Sequence, residues 1–227
     1  MCRVISKLSG RKTLAGRIVI GLVVVASVGA SSAASATSGD QRAASAPSRA
    51  VRWPAPSPNR VLKLVKAAGL VPETHESFEH HVHAHLDVYL AGKHLVVPAG
   101  IGINTTDPAV KHFTVDGQAA YGRINECSKP CISPLHTHDV TGIIHTESVT
   151  SVENTLGQFF TEWGIRLSAR CVDKYCTPHT RIAMYVDGRR QRFADAARIA
   201  LSDHKEIALV IGRPPSQIPV TADFPQA

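Results

Sequence analysis

The stretch HVHAHLDVYL, His81 to Leu90, decides the fold. Val82, Ala84, Leu86, Val88 and Leu90 alternate without a break with His81, His83, His85, Asp87 and Tyr89. A period of two belongs to a half-buried β-strand, apolar on one face and polar on the other. Ala91-Gly92-Lys93 then turns the chain, and His94 to Val97 is expected to return as the hairpin partner. The first expectation is therefore a sheet with imidazoles lined along one face.

A second stretch, CISPLHTHDVTGIIHTES from Cys131 to Ser148, adds three more histidines. Asp139-Val-Thr-Gly142 starts on an Asp and ends on a Gly, which is good turn chemistry. A four-residue loop there sets His138 opposite Ile143, Thr137 opposite Ile144, and His136 opposite His145. Directly opposed residues in an antiparallel pair share a face, with Cβ atoms roughly 5 Å apart. His136 and His138 are two apart and share that face too, roughly 6.6 Å from each other along the strand. Glu147 lies one step further along.

Three converging imidazoles suit a facial metal site with bonds of about 2.0–2.1 Å and one open position. His136, His138 and His145 are accordingly the expected metal ligands. His83 and His85 repeat the two-apart arrangement on the other strand and are expected to complete the site, form a second one, or hold the ligands in place. His81 would lie roughly 13 Å from His85 along an extended strand, so one ion is not expected to take all three residues of that run. Asp139 reads as a turn former, and Glu147 as a ligand-orienting group or general base. Imidazole-rich ligation suits copper or zinc rather than calcium or magnesium. With Met1 and Met184 as the two methionines, a Met-rich Cu(I) carrier is not expected.

Outward from these stretches, Asn59 to Ala68 reads as a short helix capped by Asn59 and stopped at Gly69. Thr155-Leu-Gly-Gln158 has the form of a capping box opening a helix through Phe159, Phe160 and Trp163 to Gly164, its aromatics serving as core anchors. Ile165 to Cys171, Arg181 to Val186 and Ile207 to Ile211 read as strands, and Pro214, Pro215 and Pro219 mark an extended tail. A weak internal likeness sets HLDVYLAGKHLVVPAGIGI, from His85, against RIAMYVDGRRQRFADAARIAL, from Arg181. It continues from Asp139–Ile144 to Asp203–Ala208, so that His85, His136, His138 and His145 fall opposite Arg181, Ala200, Ser202 and Leu209. Chance similarity of two hairpins is the competing explanation. If the copies are related, the first carries the chemistry and the second is scaffold. The expected fold class is α+β, built of β-hairpins and a few short helices, with two related β-grasp-like halves as a possible arrangement.

The first 36 residues have the layout of a secretory signal peptide: a basic front, an apolar run from Ile18 to Ala30, and Ala34-Ser35-Ala36 as a cleavage site. The run is shorter than the roughly 20 residues of an ordinary membrane span, although an uncleaved anchor is the alternative. Residues 37–58 read as a flexible Ala/Ser/Pro tether, and 59–227 as one domain with a His-rich first half, 75–150, and a scaffold half, 151–227. The net charge of +7 belongs mainly to the leader, since 20 basic and 18 acidic residues follow it. A nucleic-acid partner therefore has no charge basis. Beyond Cys2, the cysteines form two local pairs, Cys127/Cys131 and Cys171/Cys176. In an oxidising compartment they read as disulfides, of which local pairing is the simplest connectivity. Thiolate ligation by Cys127 and Cys131 is the alternative.

In HVHAHLDVYLAGK, VPAGIGI, LHTHDVTGIIHTES and TLGQFFTEWG, from His81 to Gly164, the chain resembles a group of uncharacterised exported bacterial proteins. The resemblance implies an extracytoplasmic domain with a shared histidine cluster, secreted or anchored at the cell surface. It carries over no reaction and no catalytic residues. The functional expectation is a protein that binds copper or zinc outside the cytoplasm. Its rivals are a metal-dependent enzyme with an open three-His site, for which neither GxSxG nor HExxH is present, and a structural or interaction module at the cell surface.

Overall fold

The computed structural model describes residues 51–220 and 223–224; the signal-like segment and the tether through residue 50 lie outside them. In chain order the elements are α1 (Pro58–Ala67), β1 (His80–Leu90), β2 (Lys93–Leu95), β3 (Lys111–Val115), β4 (Gln118–Gly122), β5 (Leu135–His136) and β6 (Ile143–Ser148). Then follow α2 (Leu156–Trp163), β7 (Cys171–Val172), β8 (Tyr175–Cys176), β9 (Ile182–Val186), β10 (Arg189–Gln191), a 3-10 helix (Phe193–Arg198) and β11 (Lys205–Ile211). The fold is α+β, strands outnumbering a few short helices.

Seven strands make one sheet in the order β10-β9-β11-β1-β6-β5, with β2 paired to the end of β1. The alternating stretch supplies its centre. One edge of β1 pairs in parallel with β11 from Ala84 to Leu90. The other edge pairs antiparallel with β6 from His80 to His85, and then with β2 from Val88 to Leu90. Two-residue turns close β1–β2, β3–β4 and β9–β10 at Ala91-Gly92, Asp116-Gly117 and Asp187-Gly188, with positive φ at both positions of each. That is the twist-matched hairpin turn.

The period of two divides the sheet by face. Ala84, Leu86 and Val88 of β1 join Ile144, Met184, Ile207, Leu209 and Ile211 in one apolar core, under Leu156, Phe159, Phe160 and Trp163 of α2. Each of these large side chains contributes roughly 1.5–3 kcal/mol by leaving water. The capping box of α2 is formed: Thr155 Oγ1 accepts from Gln158 N–H at 3.3 Å and Gln158 Oε1 accepts from Thr155 N–H at 2.8 Å. Gly164 ends the helix in the left-handed region. The opposite face of the sheet carries the histidines.

Several boundaries differ from the sequence expectation. Ser57 takes the N-cap position of α1 without a side-chain capping bond, and Pro58 is the first helical residue, where proline's fixed φ is pre-set for a helix, so Asn59 lies inside the first turn. The tether ends earlier than residue 58. Trp53 is 4 % exposed, stands edge-on to Trp163 with ring centroids 5.7 Å apart, and accepts at its carbonyl from the Trp163 indole N–H at 3.2 Å. Ile165–Cys171 is not a continuous strand: Leu167 makes an isolated bridge to Val172, and Cys171–Val172 pairs with Tyr175–Cys176 in a small ladder outside the main sheet. The β3–β4 hairpin is an element the sequence pattern did not reveal. Both cysteine pairs are local disulfides, Cys127–Cys131 and Cys171–Cys176. Among the described residues, no helix is long and apolar enough to cross a membrane.

Candidate metal centre

Three neighbouring strands present their polar faces to the same point. β1 and β6 set His81 opposite Glu147 and His83 opposite His145, and β5 sets His136 opposite His145. Opposed residues of an antiparallel pair project to the same side. The predicted pairing of His136 with His145 is thus the observed one.

His138 arrives by another route. Beyond His136 the chain leaves β6, so the expected pairs His138/Ile143 and Thr137/Ile144 are not formed. Thr137 N–H instead donates to the Ile101 carbonyl at 3.1 Å. Tyr121 N–H donates to the His138 carbonyl at 2.9 Å, and His138 Nδ1–H donates back to the Tyr121 carbonyl at 2.7 Å. Gly122 makes this approach possible: its φ is +151°, and a Cβ there would lie 2.6 Å from His138 Nδ1. Asp139 is the turn former expected, its Oδ1 accepting from Thr141 N–H at 2.9 Å.

The backbone also fixes the tautomers. A carbonyl only accepts, so a ring nitrogen facing one carries its proton. His136 Nδ1–H donates to the Ser133 carbonyl at 2.9 Å, as His138 Nδ1–H does to that of Tyr121. In the neutral rings both Nε2 atoms are then bare lone pairs, yet they face each other at 3.2 Å. Glu147 adds more acceptors: its Oε2 is 3.8 Å from His136 Nε2, and its Oε1 is 3.7 Å from His138 Nε2 and 3.2 Å from His145 Nδ1. Acceptors held this close are accommodated by a proton on one ring or by a metal ion between them. Two nitrogens bound tetrahedrally to one ion at about 2.0–2.1 Å lie roughly 3.3–3.4 Å apart, close to the separation seen. One donor atom from each of His136, His138, His145 and Glu147 lies within 4.8 Å of every other.

Burial opposes a charge on His138, but the hydrogen bond and negative charge of Glu147 outweigh it and raise its pKa. Burial pushes His136 down to about 3 and His83, with help from His145 and His81, down to about 4. His145 is lowered by the same desolvation. Burial would raise the Glu147 carboxyl, yet the surrounding histidines hold it below the ordinary carboxylate range. The centre is thus an ionised carboxylate among mostly neutral imidazoles, the protonation state that binds metal. Behind it, the Ser133 hydroxyl donates to Glu162 Oε1 at 2.5 Å, and burial drives the Glu162 carboxyl well above its ordinary value.

His85 does not join the cluster. Its Nδ1 lies 2.9 Å from Glu206 Oε2 and its Nε2 lies 2.9 Å from the Thr141 carbonyl. Burial opposes its charge, but Glu206 prevails and raises the pKa; with Asp87 and Glu206 it forms a separate group that could hold an ion of its own. His81, set aside on distance from His85, instead reaches the Glu147 side: its Nε2 is 3.2 Å from Glu147 Oε1 and 3.5 Å from His145 Nδ1. No local signal could have found it, because the β1–β6 register joins residues 64 apart. Cys127 and Cys131 are bonded to each other and offer no thiolate. A pocket of about 330 Å³ opens over His81, His83, His138, His145 and Glu147, walled by Glu76, Phe78, Phe113 and Arg123. Comparison with protein-family models, curated proteins and solved structures returns no match.

Proposed function

We propose that this chain is an extracytoplasmic metal-binding protein that holds a copper or zinc ion between His136, His138, His145 and Glu147. One observation carries the reading: two imidazole lone pairs, fixed by backbone carbonyls, face each other at 3.2 Å beside a buried carboxylate. Imidazole nitrogen with a single carboxylate is a donor set for borderline transition ions rather than for calcium or magnesium. The two disulfides support a location outside the reducing cytoplasm.

Elemental analysis of protein purified without a histidine tag tests the reading, alongside a His136→Ala/His138→Ala variant. At least one tightly held copper or zinc ion in the native protein, with one fewer in the variant, is expected. Uptake should be weaker at pH 5.5 than at 7.5, because protonated imidazole cannot ligate. Equal uptake at both pH values rules against imidazole ligation. A second reading, a metal-dependent enzyme, is favoured by the pocket above the donors, which leaves room for water or a small substrate at the ion. An ordered water on the bound metal would separate it from storage or delivery.

A further inference from the structure

The centre has more donors than one ion needs. On the side of Glu147 facing away from His136 stands a second histidine group, His81, His83 and His145, with one ring nitrogen of each within 4.8 Å of the others. His81 Nε2, His145 Nδ1 and Glu147 Oε1 form a triangle with sides of 3.5, 3.2 and 3.2 Å. His83 is 1 % exposed, lies directly opposite His145 across the strands, and its Nε2 is buried without a hydrogen-bond partner. An imidazole nitrogen withdrawn from water and left unpaired costs stability unless something binds there.

We propose that the protein binds two transition ions side by side, with Glu147 as the carboxylate bridge. This rests on the single-ion reading above and extends it. The first ion takes His136 Nε2, His138 Nε2 and Glu147 Oε2. The second takes His81, His83 and His145, with Glu147 Oε1. A neutral imidazole has one lone pair, so His145 serves one ion at a time. It stays with the first when that ion is alone and belongs to the second group when both are bound. A carboxylate offers one oxygen to each ion, and ions bridged in this way sit about 3.5–4 Å apart. Both lie at the floor of the pocket, where His81, His83, His138, His145 and Glu147 line the opening. The ligand class is a pair of divalent zinc or copper ions.

Equilibrium dialysis of the purified protein against Zn²⁺, followed by elemental analysis, measures the stoichiometry. The wild type is expected to hold two ions, His81→Gln/His83→Gln one, and His136→Gln/His138→Gln one; glutamine preserves much of the volume, and circular dichroism confirms the fold of each. With Cu²⁺ at two equivalents, electron paramagnetic resonance should show a spin-coupled pair with a half-field signal, absent from both variants. A wild type holding one ion that His81→Gln/His83→Gln retains overturns the second site and leaves the first standing. A wild type holding none overturns both. Two uncoupled Cu²⁺ ions, or two ions persisting in His81→Gln/His83→Gln, place the second elsewhere and overturn the bridge.

Discussion

Glu147 is the residue on which the cluster turns. It is 2 % exposed, ionised, and within 3.8 Å of ring nitrogens from His81, His136, His138 and His145. Glu147→Gln keeps the shape and removes the charge. Outer-shell partners of metal ligands already cost 10–100-fold in affinity, so a loss of more than about 100-fold is expected. Competition with a chromophoric chelator measures it, and unchanged affinity would take Glu147 out of the centre. The neutral imidazoles make the metal-free protein acid-sensitive. His136 and His83 have folded pKa values of about 3 and about 4 against an ordinary 6.5, so below 6.5 the unfolded chain binds more protons. Stability therefore falls as pH drops from 6.5 towards 3. Glu147, lowered, contributes with the same sign below its ordinary 4.5. His138, raised, opposes it, adding stability below 6.5 that is lost as pH rises through its folded value. His85, also raised, opposes it in the same way; the depressed groups, His145 included, prevail, and the urea midpoint of metal-free protein should be lower at pH 4.5 than at pH 7. A flat profile would mean that these imidazoles are not buried in the neutral form.

At the scale of elements, the clustered side chains come from strands and a loop whose pairing the local pattern governs unevenly. The His136–His145 opposition was legible because Asp139 and Gly142 announce a turn and both strands lie within one short stretch. His138 was placed beside His136 and His145 for an incomplete reason, since β4 rather than β6 holds it. Gly122→Ala tests that support. The added methyl would strike the His138 ring, so metal affinity should fall at least tenfold while the far-ultraviolet circular dichroism is kept; full affinity would show that β4 does not position His138. The internal likeness is realised in the hairpins alone. Val88 pairs Leu95 and Met184 pairs Gln191, in equivalent registers. The third strands differ: Leu209 faces Met184, the counterpart of Val88, whereas His145 faces His83. That is a slip of five residues, and an odd slip turns a position to the other face of a sheet. Leu209 consequently lies in the core, while His145 lies on the polar face.

Over the whole molecule, one apolar layer supports the histidine-bearing face from behind, and it reaches further towards the N-terminus than composition suggests. Trp53 belongs to that layer through Trp163. Trp53→Ala should cost about 3–5 kcal/mol in chemical denaturation while leaving the metal stoichiometry unchanged. A loss under about 1 kcal/mol would return Trp53 to the tether. The sequence by itself determined the alternation of β1, the turns, the capped α2, the α+β class and the clustering of imidazoles on strand faces, because each is written within a few residues of chain. It could not determine which strands lie side by side. Only the tertiary structure decided that β1 runs between β6 and β11, which brings His81 and His83 to Glu147 and takes His85 to Glu206. The reason is physical: a period of two specifies the face of every residue, but the neighbour across a strand edge is chosen by packing between segments far apart in the chain.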